Sequence, residues 1–211
     1  MKKWLSFLLC ACMALTLAAC GEQNEPAGSN PSQNTGSTAS DPVGDGLPKD
    51  EFDENGKPVK STVTQPDGTV FELYFADDGS IEKEQTTQPN GDVDATSYVS
   101  GVKTEFVQIR QSGTYTLRYR ADGSIAEKLD ENADGSSKKQ TYDASGTLLT
   151  EDLTDTDGTT RSTVYYGDGS KKTTTYPAEG RPYITNYAVN GDIFSITNLD
   201  GSTYFDAGAG K

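Results

Sequence analysis

From Phe52 onward, apolar and polar side chains alternate with a period of two. Phe71, Leu73 and Phe75 fall on one side of their segment, and Val70, Glu72 and Tyr74 on the other. Tyr115, Leu117 and Tyr119 alternate in the same way with Thr116, Arg118 and Arg120. Successive side chains of an extended strand point to opposite faces, so this pattern predicts half-buried β-strands. It recurs through 106–110, 147–153, 163–166, 183–189 and 193–199. Residues 81–88, 92–97, 124–131, 136–143 and 170–175 are mostly Lys, Glu, Thr, Ser and Gln. Strands of that composition pair through their backbones and bury little. No window carries the i, i+3, i+4, i+7 stripe of an amphipathic helix, and the density of Gly and Thr disfavours one.

Fourteen turn dipeptides separate these segments: seven Asp-Gly, three Asn-Gly, three Ser-Gly and Glu179-Gly180. Their glycines stand at 56, 68, 79, 91, 101, 113, 123, 135, 146, 158, 169, 180, 191 and 201, in steps of 10 to 12 residues. Nearly every second step is 22 or 23 residues, the signature of a repeated hairpin. Asp-Gly and Asn-Gly suit two-residue turns of the primed type, whose central positions need positive φ. Thirteen segments lie between the fourteen turns. The chain is therefore expected to be all-β, an antiparallel meander of about thirteen strands, either a twisted single layer or curled enough to enclose a thin core. This domain should occupy residues 52–206, with 207–211 as a flexible tail.

Within the repeats a motif recurs: an aromatic residue, two or three polar ones, Gly, Ser or Thr, then often an aliphatic residue. Copies run from Tyr74 to Ile81, Tyr119 to Ile125, Tyr142 to Leu148 and Tyr165 to Ser170. The third copy resembles the YD repeat of Rhs-type proteins, and the first two resemble the MORN-variant repeat of bacterial surface proteins and antitoxins. That resemblance implies a β-hairpin repeat fold and no catalytic residue. It also suggests an alternative role as an antitoxin or immunity-like partner of a secreted effector.

The front of the chain has a different character. Lys2 and Lys3 precede an apolar run from Leu5 to Ala19, too short to span a bilayer and typical of an export signal. Leu17-Ala18-Ala19-Cys20-Gly21 resembles the lipobox of bacterial lipoproteins, which implies cleavage after residue 19 and acylation of Cys20 with palmitate-like chains. Two or more such chains anchor stably, each buried methylene contributing about 0.8 kcal/mol. Residues 20–51 hold Pro26, Pro31, Pro42 and Pro48 among Ser, Asn, Gly and Thr, and read as a disordered tether. Its random-coil span is about 30 Å. The expected location is the bacterial cell envelope, outside the cytoplasm, lipid-anchored through Cys20.

Composition narrows the chemistry. Cys10 and Cys12 fall in the signal and Cys20 is the lipid site, so the exported domain has no thiol. The chain has 18 Lys and Arg against 32 Asp and Glu, and without Lys2 and Lys3 the balance is 16 minus 32, or −16. Such a surface repels nucleic acid and favours solubility. With no histidine in the chain, triads built on His and the usual zinc sites are excluded. Carboxylate chemistry of the glycan-hydrolase kind is left, but the acidic residues lie in turns and wet strands with no aromatic-lined pair, and an enzyme is not expected. Asp130, Asn132 and Asp134 with Gly135 match the first half of a calcium loop, yet Thr141 stands where a bidentate Glu is needed, and no metal or other cofactor is expected. Among the eleven tyrosines, Tyr183, Tyr187 and Tyr204 form a candidate contact surface for a protein or a cell-wall glycan.

Overall fold

The computed structural model of the protein describes residues 44–207. The expected export signal, Cys20, most of the expected tether and the end of the chain from 208 lie outside the described residues. What is described is one open antiparallel sheet in which strand order follows sequence order. Its first strands are β1 (Pro48–Phe52), β2 (Pro58–Thr64), β3 (Val70–Phe75), β4 (Ile81–Thr87) and β5 (Val93–Val99). Next come β6 (Val102–Arg110), β7 (Gly113–Tyr119), β8 (Ile125–Asn132), β9 (Ser137–Tyr142) and β10 (Leu148–Thr154). The last five are β11 (Thr160–Tyr165), β12 (Lys171–Tyr176), β13 (Tyr183–Tyr187), β14 (Ile193–Asn198) and β15 (Thr203–Asp206).

The meander has 15 strands because the two segments outside the first and last turns also pair. The sheet begins four residues before Phe52, inside the expected tether. Pro48 to Glu51 carry no apolar alternation, and all five residues of β1 are exposed. They join β2 by backbone pairing and one side-chain bond, from the Ser61 hydroxyl to the Asp50 carboxylate at 2.6 Å, which a hydrophobic pattern does not reveal.

Of the two expected forms, the sheet takes the single layer: each strand contacts only the strands beside it. Among the described residues no hydrophobic side chain is fully buried, and the buried ones are seven threonines and Ser195. Thr163, Thr173 and Thr185 face one another across β11, β12 and β13 and are 7%, 9% and 5% exposed. A Thr row of this kind packs its methyls across the pleat while its hydroxyls pair, as the Thr163 and Thr173 oxygens do at 2.9 Å. Stability thus comes from backbone ladders and cross-strand pairs.

Turn geometry departs from the expected two-residue form at most positions. In eleven hairpins the residue three before the glycine accepts the glycine N–H and donates its own N–H to the residue after the glycine, as in Gly79 N to Ala76 O and Ala76 N to Ser80 O. That is a three-residue loop, a type I turn closed by a glycine in the left-handed region. Only glycine then needs positive φ. Among the described non-glycine residues only Ser100, at 50°, has one, and the Ser100-Gly101 turn is the hairpin that takes the expected primed form.

The reason lies in the residues flanking the glycine. In all seven Asp-Gly turns the Asp carboxylate accepts the N–H of the residue after the glycine, as Asp78 does from Ser80 and Asp122 from Ser124 at 2.9 and 2.8 Å. In five of them the following serine hydroxyl also donates to the same oxygen. These bonds stabilise the charged form and hold all seven carboxyls below the ordinary Asp value.

Candidate functional site

Register assigns every strand residue to a face. One line of directly opposed residues crosses from Ser61 on β2 to Phe205 on β15 without a break, through Leu73, Glu84, Thr96, Phe106, Leu117, Lys128, Gln140, Glu151, Thr163, Thr173, Thr185 and Ile196. Two residues further along the odd-numbered strands, and therefore on the same face, stand Phe75, Tyr98, Tyr119, Tyr142, Tyr165 and Tyr187. Each pairs next to its turn, opposite Ile81, Lys103, Ile125, Leu148, Lys171 and Ile193 respectively, and only after Tyr98 does one more pair, Val99 with Val102, follow. Phe52 opposite Pro58 extends the row to β1.

The repeated motif of the sequence thus becomes one row of half-buried rings along one end of the strands. Alternate strands carry the rings, so neighbours are about 9.6 Å apart, twice the spacing of paired strands. In six of these seven hairpins the register shifts by one residue beside the ring, while at Tyr165 it does not. Such a bulge bends the strand and re-aims the side chain opposite the ring.

Cations and polar groups lie among the rings. The Lys103 ammonium is 4.6 Å from the centroid of Tyr119 and 5.0 Å from that of Phe106. Lys128 stands 5.3 Å from Tyr142, and Lys171 4.7 Å from Tyr187. The Tyr98 hydroxyl donates to Glu84 and the Tyr142 hydroxyl to the side-chain oxygen of Gln140, at 3.1 and 3.0 Å. Burial pushes the Tyr98 and Tyr165 hydroxyls above the ordinary tyrosine value, and the neighbouring carboxylates Glu84 and Glu151 push the same way. Both of these phenols therefore stay protonated at physiological pH.

The opposite face is organised by charge. Glu72 meets Lys60 at 2.6 Å and accepts from Gln85, and Glu127 bonds both Arg118 and Lys139. Tyr74 and Tyr176 are its strand aromatics up to β13. The two faces of this one-layer sheet are thus chemically distinct, although no other described element covers either.

Tyr183 and Tyr187 share the ring-bearing face, at the two ends of β13. Tyr204 does not join them. Phe205 lies opposite Ile196 on that face and Thr203 opposite Thr197 on the other, so Tyr204 between them is the unpaired residue of a bulge, 81% exposed and outside the paired rows. A one-residue register shift between Ile196 and Thr197 sets this arrangement, and nothing in the sequence signals it. The row of rings was legible as a motif, but its common face required the register.

Asp130, Asn132 and Asp134 do not converge. Asp130 is a strand residue opposite Tyr115 and Lys138, the Asn132 amide donates to the Ser136 hydroxyl, and the Asp134 carboxylate accepts the Ser136 N–H and hydroxyl. Among the described residues no group of three potential metal ligands forms. Neither the family models nor the curated proteins offer a match to this chain.

Proposed function

We propose that this is an exported lipoprotein of the bacterial cell envelope, anchored through Cys20, whose repeat domain is a non-catalytic surface module for binding and spacing. The observation that carries the reading is the continuous row of rings on one uncovered face of an open sheet. A sheet built to fold on itself would cover such a row. Rigid aromatic side chains with cations and hydroxyls beside them are the usual make-up of a contact surface. The lipobox-like run supports the anchor, and the Pro- and Ser-rich segment behind it supports display away from the lipid.

The anchor is tested by labelling cells with radioactive palmitate. Wild-type chain should take up label and remain with membranes, whereas Cys20→Ser should do neither. Label that survives Cys20→Ser sinks the anchor. The module is tested by incubating the full chain with purified cell-wall sacculi and, separately, with solubilised envelope proteins. Retention by neither sinks the binding role.

A further inference from the structure

Resting on the reading of the domain as a binding module, we infer that the ring row is a subsite array for one extended β-linked polysaccharide chain. The chain would lie across the strands with one sugar on each of Phe75, Tyr98, Tyr119, Tyr142, Tyr165 and Tyr187. Three features of the row point to this ligand.

The first is pitch. The rings recur about every 9.6 Å, twice the distance between paired strands. In an extended β-1,4-linked glycan alternate sugars turn over, so the same sugar face returns once per disaccharide, a step of very nearly this length. An extended polypeptide repeats its side-chain direction in about 6.7 Å and falls out of step with the rings at once. An α-linked glucan curls away from a straight row.

The second is the polar line beside the rings. Glu84, Gln140 and Glu151 occupy the adjoining row, with the Gln140 amide donating to Glu151 at 2.8 Å. Glu84 accepts from the Tyr98 hydroxyl and Glu151 from Gln140 and the Lys138 ammonium, but a carboxylate has about four acceptor sites, so both can take further donors. Sugar hydroxyls supply them. A polyproline helix, with a turn of about 9.3 Å, matches the pitch almost as well, but its prolines have no N–H to offer these oxygens.

The third is charge. The chain is strongly acidic, but much of the acid sits in the turns, and Lys103, Lys128 and Lys171 stand among the rings. A neutral polymer therefore meets no repulsive field on this face, and an anionic one meets an acidic border.

The test is isothermal titration calorimetry of the full chain with chitohexaose, cellohexaose, their disaccharides, maltohexaose and decaproline. At least one β-1,4 hexasaccharide should bind ten or more times tighter than its disaccharide, since several rings are engaged together, and maltohexaose should not. Tyr142→Ala and Tyr165→Ala should each weaken binding about tenfold, the upper end for one aromatic contact. Tyr176→Ala on the opposite face should leave it unchanged. As a guard against misfolding, Tyr165→Trp keeps a platform and should bind at least as well, with the new indole emission shifting on titration. Equal affinity for maltohexaose, preference for decaproline, or indifference to both Ala changes overturns the inference. If no oligosaccharide binds while a stoichiometric envelope protein is held through the same rings, the glycan is wrong and the module reading stands. Retention of nothing overturns both.

Discussion

Gly113 opens β7, directly opposite Asn132, with φ of 146°, a conformation that side-chain-bearing residues avoid. A Cβ built there would lie 2.2 Å from the Glu131 carbonyl oxygen and 2.8 Å from the Asn132 Cα, both backbone atoms of β8. Reaching even 3.0 Å requires the β8 backbone to retreat by about 0.8 Å, which takes a hydrogen bond of ordinary length outside its useful range. Gly113→Ala therefore combines backbone strain of about 1–3 kcal/mol with one or two ladder bonds of about 1 kcal/mol each. The expected loss is about 2–5 kcal/mol. Gly123→Ala is the control: its φ is +84°, but nothing lies within 4 Å of the added carbon, so only left-handed strain of about 1–2 kcal/mol applies.

Urea unfolding gives the total for each variant, and amide exchange locates it. Because each strand contacts only its neighbours, protection should fall first on β7 and β8 in Gly113→Ala and around the 123 turn in Gly123→Ala. If the two substitutions cost the same, or if Gly113→Ala loosens distant strands equally, the close approach is not what glycine is there for.

Acid should weaken the sheet from its turns. The folded pKa is lowered for Asp53, Asp67, Asp78, Asp122, Asp134, Asp143, Asp157, Asp168 and Asp200, so their contribution is complete above the unfolded value and is lost as pH falls through the folded one. The urea midpoint should hold steady from pH 7 to 5 and fall below about pH 4, and a midpoint unchanged down to pH 2 would contradict the turn chemistry. Thr173→Val leaves the Thr163 hydroxyl buried without its 2.9 Å partner and should cost about 1–3 kcal/mol, whereas adding Thr163→Val should recover most of it in a double-mutant cycle. Deleting residues 147–169 joins Gly146 to Ser170, recreating an aromatic, Asp, Gly, Ser turn with Lys171 opposite Tyr142. That chain should fold with two fewer strands and native-like dispersion of its amide spectrum, and a collapsed spectrum would show that the repeats are not interchangeable.

Alternation at Phe71, Leu73 and Phe75 and at Tyr115, Leu117 and Tyr119 was enough to place strands, because aromatic and branched side chains occupy one face even without a layer to cover them. The glycines placed the turns. What stayed hidden has in each case a local cause. β1 is stitched on by backbone bonds and has no pattern to read. The turn type depends on whether the residue before the glycine or only Gly takes positive φ, and in the Asp-Gly turns, as at Asn90 and Asn190, the side-chain oxygen before the glycine holds the N–H after it and so favours the form in which only Gly does. Tyr204 leaves the paired rows because it is itself the slipped residue of β15. The ring row was half legible: its spacing of about 23 residues was visible, but a common face emerges only when six one-residue register shifts are all accommodated on the even-numbered strand of the hairpin, leaving the ring strands regular.

So wet a sheet keeps its register without a core. Strands such as Ser137–Tyr142 and Lys171–Tyr176 have no buried apolar face to penalise a slip. A slip by one residue would instead pull Asp143 or Asp168 away from the backbone N–H it holds two residues on, and would set a ring opposite a turn. Register is therefore enforced at each turn, by carboxylates and glycine, and not by a shared core. Turn-by-turn enforcement makes each hairpin an independent unit of fixed width. A regular row of rings follows from that design, since six of the seven units carry the aromatic four residues before their own glycine and the remaining one, Tyr98, carries it three before Gly101.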